Sequence, residues 1–438
     1  MEPPEARRCI ALVDANSFYC SAETVFRPDL EGKAIVALSN NDGCIVSRSR
    51  PAVALGIPMA APWHQVREEA KRKGWEVIAF SSNYELYGDM SNRFHTVLAQ
   101  FCAGDDGELE RYSIDECFMD FSRHRIEPVP LGHTIKNRVK QWTGLPVCVG
   151  FGATKTLAKL ANNIAKKQPQ FEGVCDLTAL TEAELDALLA TVKVGDVWGI
   201  GRRISEALIQ GGITTAAQLR RADPKRIRER FTVVVERTVN ELNGMSCIAW
   251  EHEPPAKKQI ISSRSFGGPV YAIDQLVESI HVHAGRAAEK LRQQGSVAGR
   301  VGVFIETNRF RPQDPQYSPF HTIRLPVPTD DTALITIWAV QVLKAMFRPF
   351  RFVKAGVMLD DIGPRGVVQG SLFDALPPEQ DLRREKLMAT LDKANAKWGR
   401  GTLGIGSAGV KGDREWSMQR GLLSPRYTTQ WHELREIS

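Results

Sequence analysis

The sequence predicts an α+β chain of several domains, and three observations carry that expectation. Its 438 residues exceed what one hydrophobic core serves, at roughly 100–200 residues per domain. Residues 9–177 mix short apolar runs with helical periodicity, whereas residues 178–242 read as almost all helix with Gly-containing turns. Residues 259–358 return to strand and helix in a β-α-β-β-α-β order, a ferredoxin-like signature.

The elements follow in order. Cys9 to Val13 is a short buried-strand run, and Asn16 to Phe26 has helical spacing. Ala34 to Leu38 and Cys44 to Ser47 read as strands joined by the turn-prone Asn40-Asn-Asp-Gly43. Tyr84 to Phe101 reads as a long amphipathic helix, and Leu109 to Phe121 as two strands or a hairpin. Pro146 to Phe151 is another strand, and Thr154 to Lys166 a helix. A hairpin among mixed elements favours a mostly antiparallel sheet. Glu253 to Lys258 reads as a linker. The later strands are Gln259–Phe266, Arg300–Thr307, Thr322–Leu325 and Lys354–Leu359, with helices at Leu276–Gln293 and Ala333–Ala345. After Asp361 the chain is rich in Gly, Pro and charge, and little structure is expected.

Composition excludes several classes. With 43% apolar and 25% charged residues the chain is neither disordered, collagen-like nor a coiled coil. No run approaches the roughly 18 apolar residues of a membrane helix. The first residues lack the apolar stretch of a signal peptide, so a cytoplasmic protein is expected. The eight cysteines form no CxxC pair, which points to reduced thiols and against a disulfide frame or a zinc site. The net charge of +6 is modest, but it is concentrated. Residues 193–238 hold 10 Lys/Arg against 5 Asp/Glu, and residues 243–354 hold 14 against 9. Such an excess fits nucleic acid or merely solvated helix faces.

Three carboxylates stand out. Asp14 directly follows the first apolar strand, and Asp115 and Glu116 sit in a strand-like stretch, Tyr112 to Phe121. A carboxylate on a buried strand is costly unless positive charge is supplied to it. A salt bridge or cap explains any one of them. Three on strands that can be neighbours suit two Mg2+ ions sharing ligands. Adjacent strand residues point to opposite faces, so Asp115 and Glu116 share a site only where the hairpin bends or twists. Phe18 and Tyr19 fall on the first helical turn after Asp14, where one ring can wall off a sugar.

With these residues the chain resembles the Y-family, or translesion, DNA polymerases, and within them the UmuC subfamily. The carriers are Asp14 to Tyr19, Leu38 to Cys44, Ser81 to Tyr87, Tyr112 to Glu116, Thr154 to Lys159, Asp196 to Arg203 and Ser424 to Thr429. The resemblance implies a right-hand polymerase. Its ferredoxin-like palm would span 1–33 and 83–180, with small fingers at 34–82. A helical thumb would span 181–242, an α/β little finger 243–360, and a clamp- and partner-binding tail 361–438. It also implies two Mg2+ ions on Asp14, Asp115 and Glu116, with the carbonyl of Ala15 completing the set. Tyr19 becomes the steric gate against the ribose 2′-hydroxyl, with Phe18 beside it under the sugar. Lys166 and, more weakly, Ser47 become triphosphate contacts. Many family members carry a tyrosine and a basic residue in the fingers, where this chain has Arg50 and Val53, so Arg48 or Arg50 is expected to substitute.

Two further motifs carry signals in their own residues. Gly199-Ile-Gly201, followed by Arg202 and Arg203, has the form of a helix-hairpin-helix that lets backbone approach a DNA phosphate. Gln369, Leu372 and Phe373 have the Gln-x-x-Leu-Phe form of peptides that bind the bacterial sliding clamp. The implied function is error-prone, template-directed synthesis past damaged bases in the SOS response. The implied partners are primer-template DNA, dNTP, the sliding clamp, a UmuD′-like accessory dimer and a RecA filament, in a bacterial, nucleoid-associated setting without a membrane. The rivals are a nucleotide cyclase and a non-catalytic DNA-binding scaffold. In the tail, Leu387, Trp398, Trp416, Leu422, Tyr427 and Trp431 are apolar anchors, read as a partner surface in preference to a segment folded back on the chain.

Overall fold

The computed structural model describes residues 8–102, 108–252, 255–365, 378–399, 401–404 and 416–434. It contains two compact units. One comprises 1–39, 43–254 and 422–438, and the other 40–42 and 255–421.

In chain order the first unit begins β1 (Ile10–Ala15), α1 (Phe18–Val25), β2 (Ala34–Leu38), β3 (Ile45–Arg48), α2 (Arg50–Ala54), α3 (Trp63–Lys73) and β4 (Val77–Ser81). It continues α4 (Tyr84–Ala99), β5 (Glu108–Arg111), β6 (Glu116–Asp120), α5 (Pro128–Thr143), β7 (Val147–Gly152), α6 (Lys155–Lys167) and β8 (Val174–Asp176). A five-stranded sheet runs β5-β6-β1-β7-β8, and only its β7–β8 pair is parallel. The central strand β1 is apolar on both faces because helices cover both. Ala11, Val13 and Ala15 pack with Phe94 of α4 and Ile135 of α5. Ile10 and Leu12 pack with Ala158 of α6. Alternation therefore turns Asp14 toward α6.

Helix α6 lies hard against β7. A Cβ on Gly150 would sit 2.1 Å from the Asn162 backbone nitrogen, and one on Gly152 2.5 Å from that of Ala158. Only glycine permits this approach. A smaller sheet, β3-β2-β4, packs Val36, Leu38 and Ile45 against Trp63 and Val66 of α3. The helical stretch holds α7 (Glu182–Ala190), α8 (Arg202–Gln210), α9 (Ala216–Arg220), α10 (Pro224–Arg230) and α11 (Val233–Leu242) around Leu189, Leu208, Leu219 and Val239.

The second unit holds β9 (Ile260–Val270), α12 (Ile273–Gln293), β10 (Ser296–Thr307), β11 (Phe320–Thr329), α13 (Thr332–Met346) and β12 (Phe352–Pro364). The order of elements matches the expected β-α-β-β-α-β. The sheet runs β11-β10-β12-β9 with every pair antiparallel, so each helix crosses one intervening strand. The expectation of little structure past Asp361 fails at α14 (Pro378–Trp398), a 21-residue helix. After its first residue that stretch lacks Gly and Pro, and a composition read over the whole tail hid it. Arg292 anchors the helix through Asp392 at 2.7 Å.

The tail is divided. Trp416 is 7% exposed in the core of the second unit and Tyr427 8% in that of the first, so these two anchors fold back on their own chain. Leu387, Trp398, Leu422 and Trp431 are exposed. None of the eight cysteines, all of them among the described residues, is in a disulfide. No helix among the described residues is long and apolar enough to cross a membrane.

Candidate active site

The antiparallel register of β1 and β6 sets Asp14 opposite Glu116. Asp115 is not a strand residue. It lies in the bend before β6, which removes the pleat difficulty raised by the sequence. The Ala15 N–H donates to the Asp115 carbonyl at 2.9 Å, and the Ser113 hydroxyl donates to Asp115 Oδ1 at 2.7 Å. Helix α4 secures this bend from behind. Ser91 Oγ donates to the Ile114 carbonyl at 2.5 Å, and His95 Nε2 donates to the Ser113 carbonyl at 3.0 Å. Burial pulls the His95 pKa down to about 4, so its ring is neutral.

The carboxylates share a field. Asp14 is pushed up to about 7, chiefly by burial. Lys166 opposes the rise, and Glu116 and Asp115 add to it. Lys166 Nζ lies 2.5 Å from Asp14 Oδ1, and Lys159 Nζ 2.5 Å from Glu116 Oε1. Both lysines come from α6. Among the described residues no group of three or more His, Cys, Asp or Glu side chains is already arranged to hold a metal ion. Oxygen donors that already draw two ammonium groups nevertheless fit hard divalent cations in donor type and charge.

Tyr19 borders the acids. Its hydroxyl pKa is raised by burial, then by Tyr84 and Asp115 nearby. The ring stacks on Tyr87 at 4.5 Å and 15° and meets Tyr84 edge-on at 6.2 Å. Helix α1 starts from Ser17 at φ 47°, a left-handed conformation unusual for serine. Phe18 is turned the other way. It is 3% exposed within the core beneath α4, because neighbouring helical residues diverge by about 100°.

The fingers expectation narrows. Ser47 is turned inward by strand alternation and is buried. Arg48 Nη1 donates to the Ile57 carbonyl at 2.5 Å, which holds a turn together. Arg50 instead reaches Lys166, donating to its carbonyl at 3.3 Å. In the helical stretch Gly199 takes φ 86°, and Gly201 caps α8 with open space where a side chain would stand. Arg202 is 90% exposed and pairs with Glu206, and Arg203 is exposed. Gln369, Leu372 and Phe373 lie outside the described residues. Sequence reasoning gave no role to Lys155, Lys159, Ser91 or His95. The signal for the lysines was their common helical face with Lys166.

Family models match this chain in three places. The impB/mucB/samB family spans residues 13–163, its C-terminal domain 257–372, and a domain of unknown function 385–437. Protein ImpB of Salmonella typhimurium is 45% identical over 97% of this chain and 98% of its own length. Protein UmuC of Salmonella typhimurium strain LT2 is 44% identical, covering 98% and 99%. Protein MucB of Escherichia coli is 40% identical, covering 97% and 98%. A solved Y-family DNA polymerase chimera of Dbh and Dpo4 shares the fold at TM-score 0.61 and 18% identity, over 81% of this chain and 99% of that one. An insertion ternary complex of Dbh DNA polymerase matches at TM-score 0.51 and 18% identity, over 81% and 99%. The chain belongs to the impB/mucB/samB family, the UmuC-type branch of the Y-family, and is an error-prone, DNA-directed DNA polymerase of translesion synthesis.

Proposed function

We propose that Asp14, Asp115 and Glu116, with the carbonyl of Ala15, hold two Mg2+ ions for nucleotide addition to a primer. One observation carries this reading. Asp14 and Glu116 face each other in register, with Asp115 in the adjoining bend and two ammonium groups already drawn to them. Bound there, the ions would supply charge stabilisation to the phosphoryl oxygens and lower the pKa of the primer 3′-hydroxyl. The residues do the rest. Lys166 turns from Asp14 to the triphosphate when the carboxylates are otherwise neutralised, and Arg50, bonded to its backbone, adds a second cation on that side. Tyr19, braced by Tyr84 and Tyr87, fills the volume a 2′-hydroxyl would need. No side chain is assigned as the base.

The backbone at Gly199–Gly201, with Arg202 and Arg203, takes a DNA phosphate without reading sequence. Gln369, Leu372 and Phe373 take the sliding clamp. A UmuD′-like dimer and a RecA filament are the further partners, and the exposed Trp398 and Trp431 are the anchors left for them.

The active-site test is Asp14→Asn, Asp115→Asn and Glu116→Gln in single-nucleotide insertion. Each should lose at least about 100-fold in rate, since charge at the reacting phosphate is the dominant catalytic contribution. Primer-template affinity should stay near wild type. Near wild-type insertion by all three removes the assignment.

A further inference from the structure

The matched segment of unknown function ends in the first unit, directly behind the tyrosines that brace Tyr19. Residues 422–434 lie along the end of β4 and the start of α4. The Ser81 N–H donates to the Leu422 carbonyl, and the Leu422 N–H to Ser81 Oγ, both at 3.0 Å. Asn83 Nδ2 donates to the Ser424 carbonyl and hydroxyl at 3.0 Å and to the Pro425 carbonyl at 3.1 Å. The same Asn83 caps α4, accepting the Leu86 N–H through Oδ1 at 3.3 Å. Tyr427 stacks on Phe26, at the end of α1, at 4.6 Å and 13°.

The contacts converge on one buried acid. Glu23, on α1 one turn past Tyr19, has no solvent exposure. Its Oε1 accepts the Tyr87 hydroxyl at 2.7 Å and the Ser424 hydroxyl at 3.0 Å. Its Oε2 has no partner among the described residues. Burial raises its carboxyl pKa, against the lowering effect of those two hydroxyls. Among the described residues no cation supports Glu23 as Lys166 supports Asp14. An acid held only by two hydroxyls has its geometry set by both, and losing one frees the other to turn.

We propose that Ser424 is a positioning residue for sugar discrimination: through Glu23 it fixes Tyr87, and Tyr87 fixes the ring of Tyr19. The C-terminal segment is thus part of the nucleotide pocket's support. The chain's first strand–helix unit and its last residues, 401 positions apart at the Glu23–Ser424 bond, jointly set which sugar is admitted. This rests on the reading of Tyr19 as the gate.

The experiment measures kcat/KM for dNTP and rNTP insertion with full-length variants, alongside Tm. Ser424→Ala should lower the dNTP preference about fivefold, the equivalent of one lost buried hydrogen bond. The loss should fall on KM and not on kcat. Tyr87→Phe, which deletes the other hydroxyl, should act alike and serves if Ser424→Ala does not fold. Glu23→Gln keeps an acceptor for both hydroxyls and should stay within about twofold of wild type. In a Tyr19→Ala background, Ser424→Ala should change the preference no further. Equal loss for both nucleotides, an unchanged preference in Ser424→Ala and Tyr87→Phe, or an undiminished effect in the Tyr19→Ala background overturns the proposal. An unchanged preference in Tyr19→Ala alone removes the gate instead, and the proposal with it.

Discussion

The two ends of α6 carry the same chemistry in different surroundings. At its start Lys155 pairs with Glu110 at 2.5 Å, with side chains 2% and 7% exposed. Lys155 also donates to the Ala249 carbonyl at 2.6 Å and lies over the Trp250 ring at 4.6 Å. Glu110 accepts the Glu251 N–H at 2.8 Å. Further along, Lys159–Glu116 and Lys166–Asp14 have the same 2.5 Å separation, but their side chains are 25% and 17%, and 32% and 14%, exposed. The closed pair has every strong partner inside the protein, so it acts as a strut. The open pairs leave carboxylate oxygens that an incoming cation can reach. Burial, not pairing, separates the closed acid from the open acids on this sheet.

The comparison breaks most visibly at the closed end. Lys155→Ala leaves Glu110 buried and unpaired, and should cost about 3–5 kcal/mol of unfolding free energy in urea titration. A loss under about 1 kcal/mol would mean that water reaches Glu110 and that the two ends are alike.

At the open end the same substitution should act on function. Lys166→Ala should lower kcat/KM for dNTP about 30-fold, the worth of a charge-assisted hydrogen bond of about 2 kcal/mol. Unfolding free energy should change by less than about 1 kcal/mol, as for exposed pairs. A stability loss matching that of Lys155→Ala would make Lys166 a strut as well.

The smallest effect sharpens the contrast from the opposite face of the sheet, where His95 has no acid partner among the described residues. Its folded pKa of about 4 lies below the ordinary 6.5, so as pH falls the unfolded chain takes up the proton first. Stability is therefore full above about pH 6.5 and declines toward pH 4, with about 1.4 kcal/mol lost by pH 5.5 from this group. His95→Gln should show a correspondingly shallower decline between pH 7 and 5.5. An identical pH slope in both proteins would place the titrating group elsewhere, with buried His283 the next to test.

Much of this site was legible from local pattern. An apolar run ending in Asp14 had to be a buried strand delivering a carboxylate to its tip, and Gly199-Ile-Gly201 had to be a tight turn. The pairing of Tyr19 with Tyr87 was not legible, although both lay in recognised motifs, because nothing in a 3.6-residue period says which helix faces which. The lysines of α6 showed a common face but not their acids.

By itself, the sequence determined the β-α-β-β-α-β order of residues 259–358, the strand that ends in Asp14, the aromatic turn after it and the family. Those are properties of neighbouring residues, set by periodicity and by residue type. Tertiary structure alone decided that Asp115 sits in a bend, that Phe18 turns inward while Tyr19 faces the acids, that β9 and β11 are the edges of their sheet, and that Ser424 returns beneath α1. Each depends on partners far apart in the chain, and such pairings are selected by the burial and hydrogen bonding of the whole fold, which leave no local periodic trace.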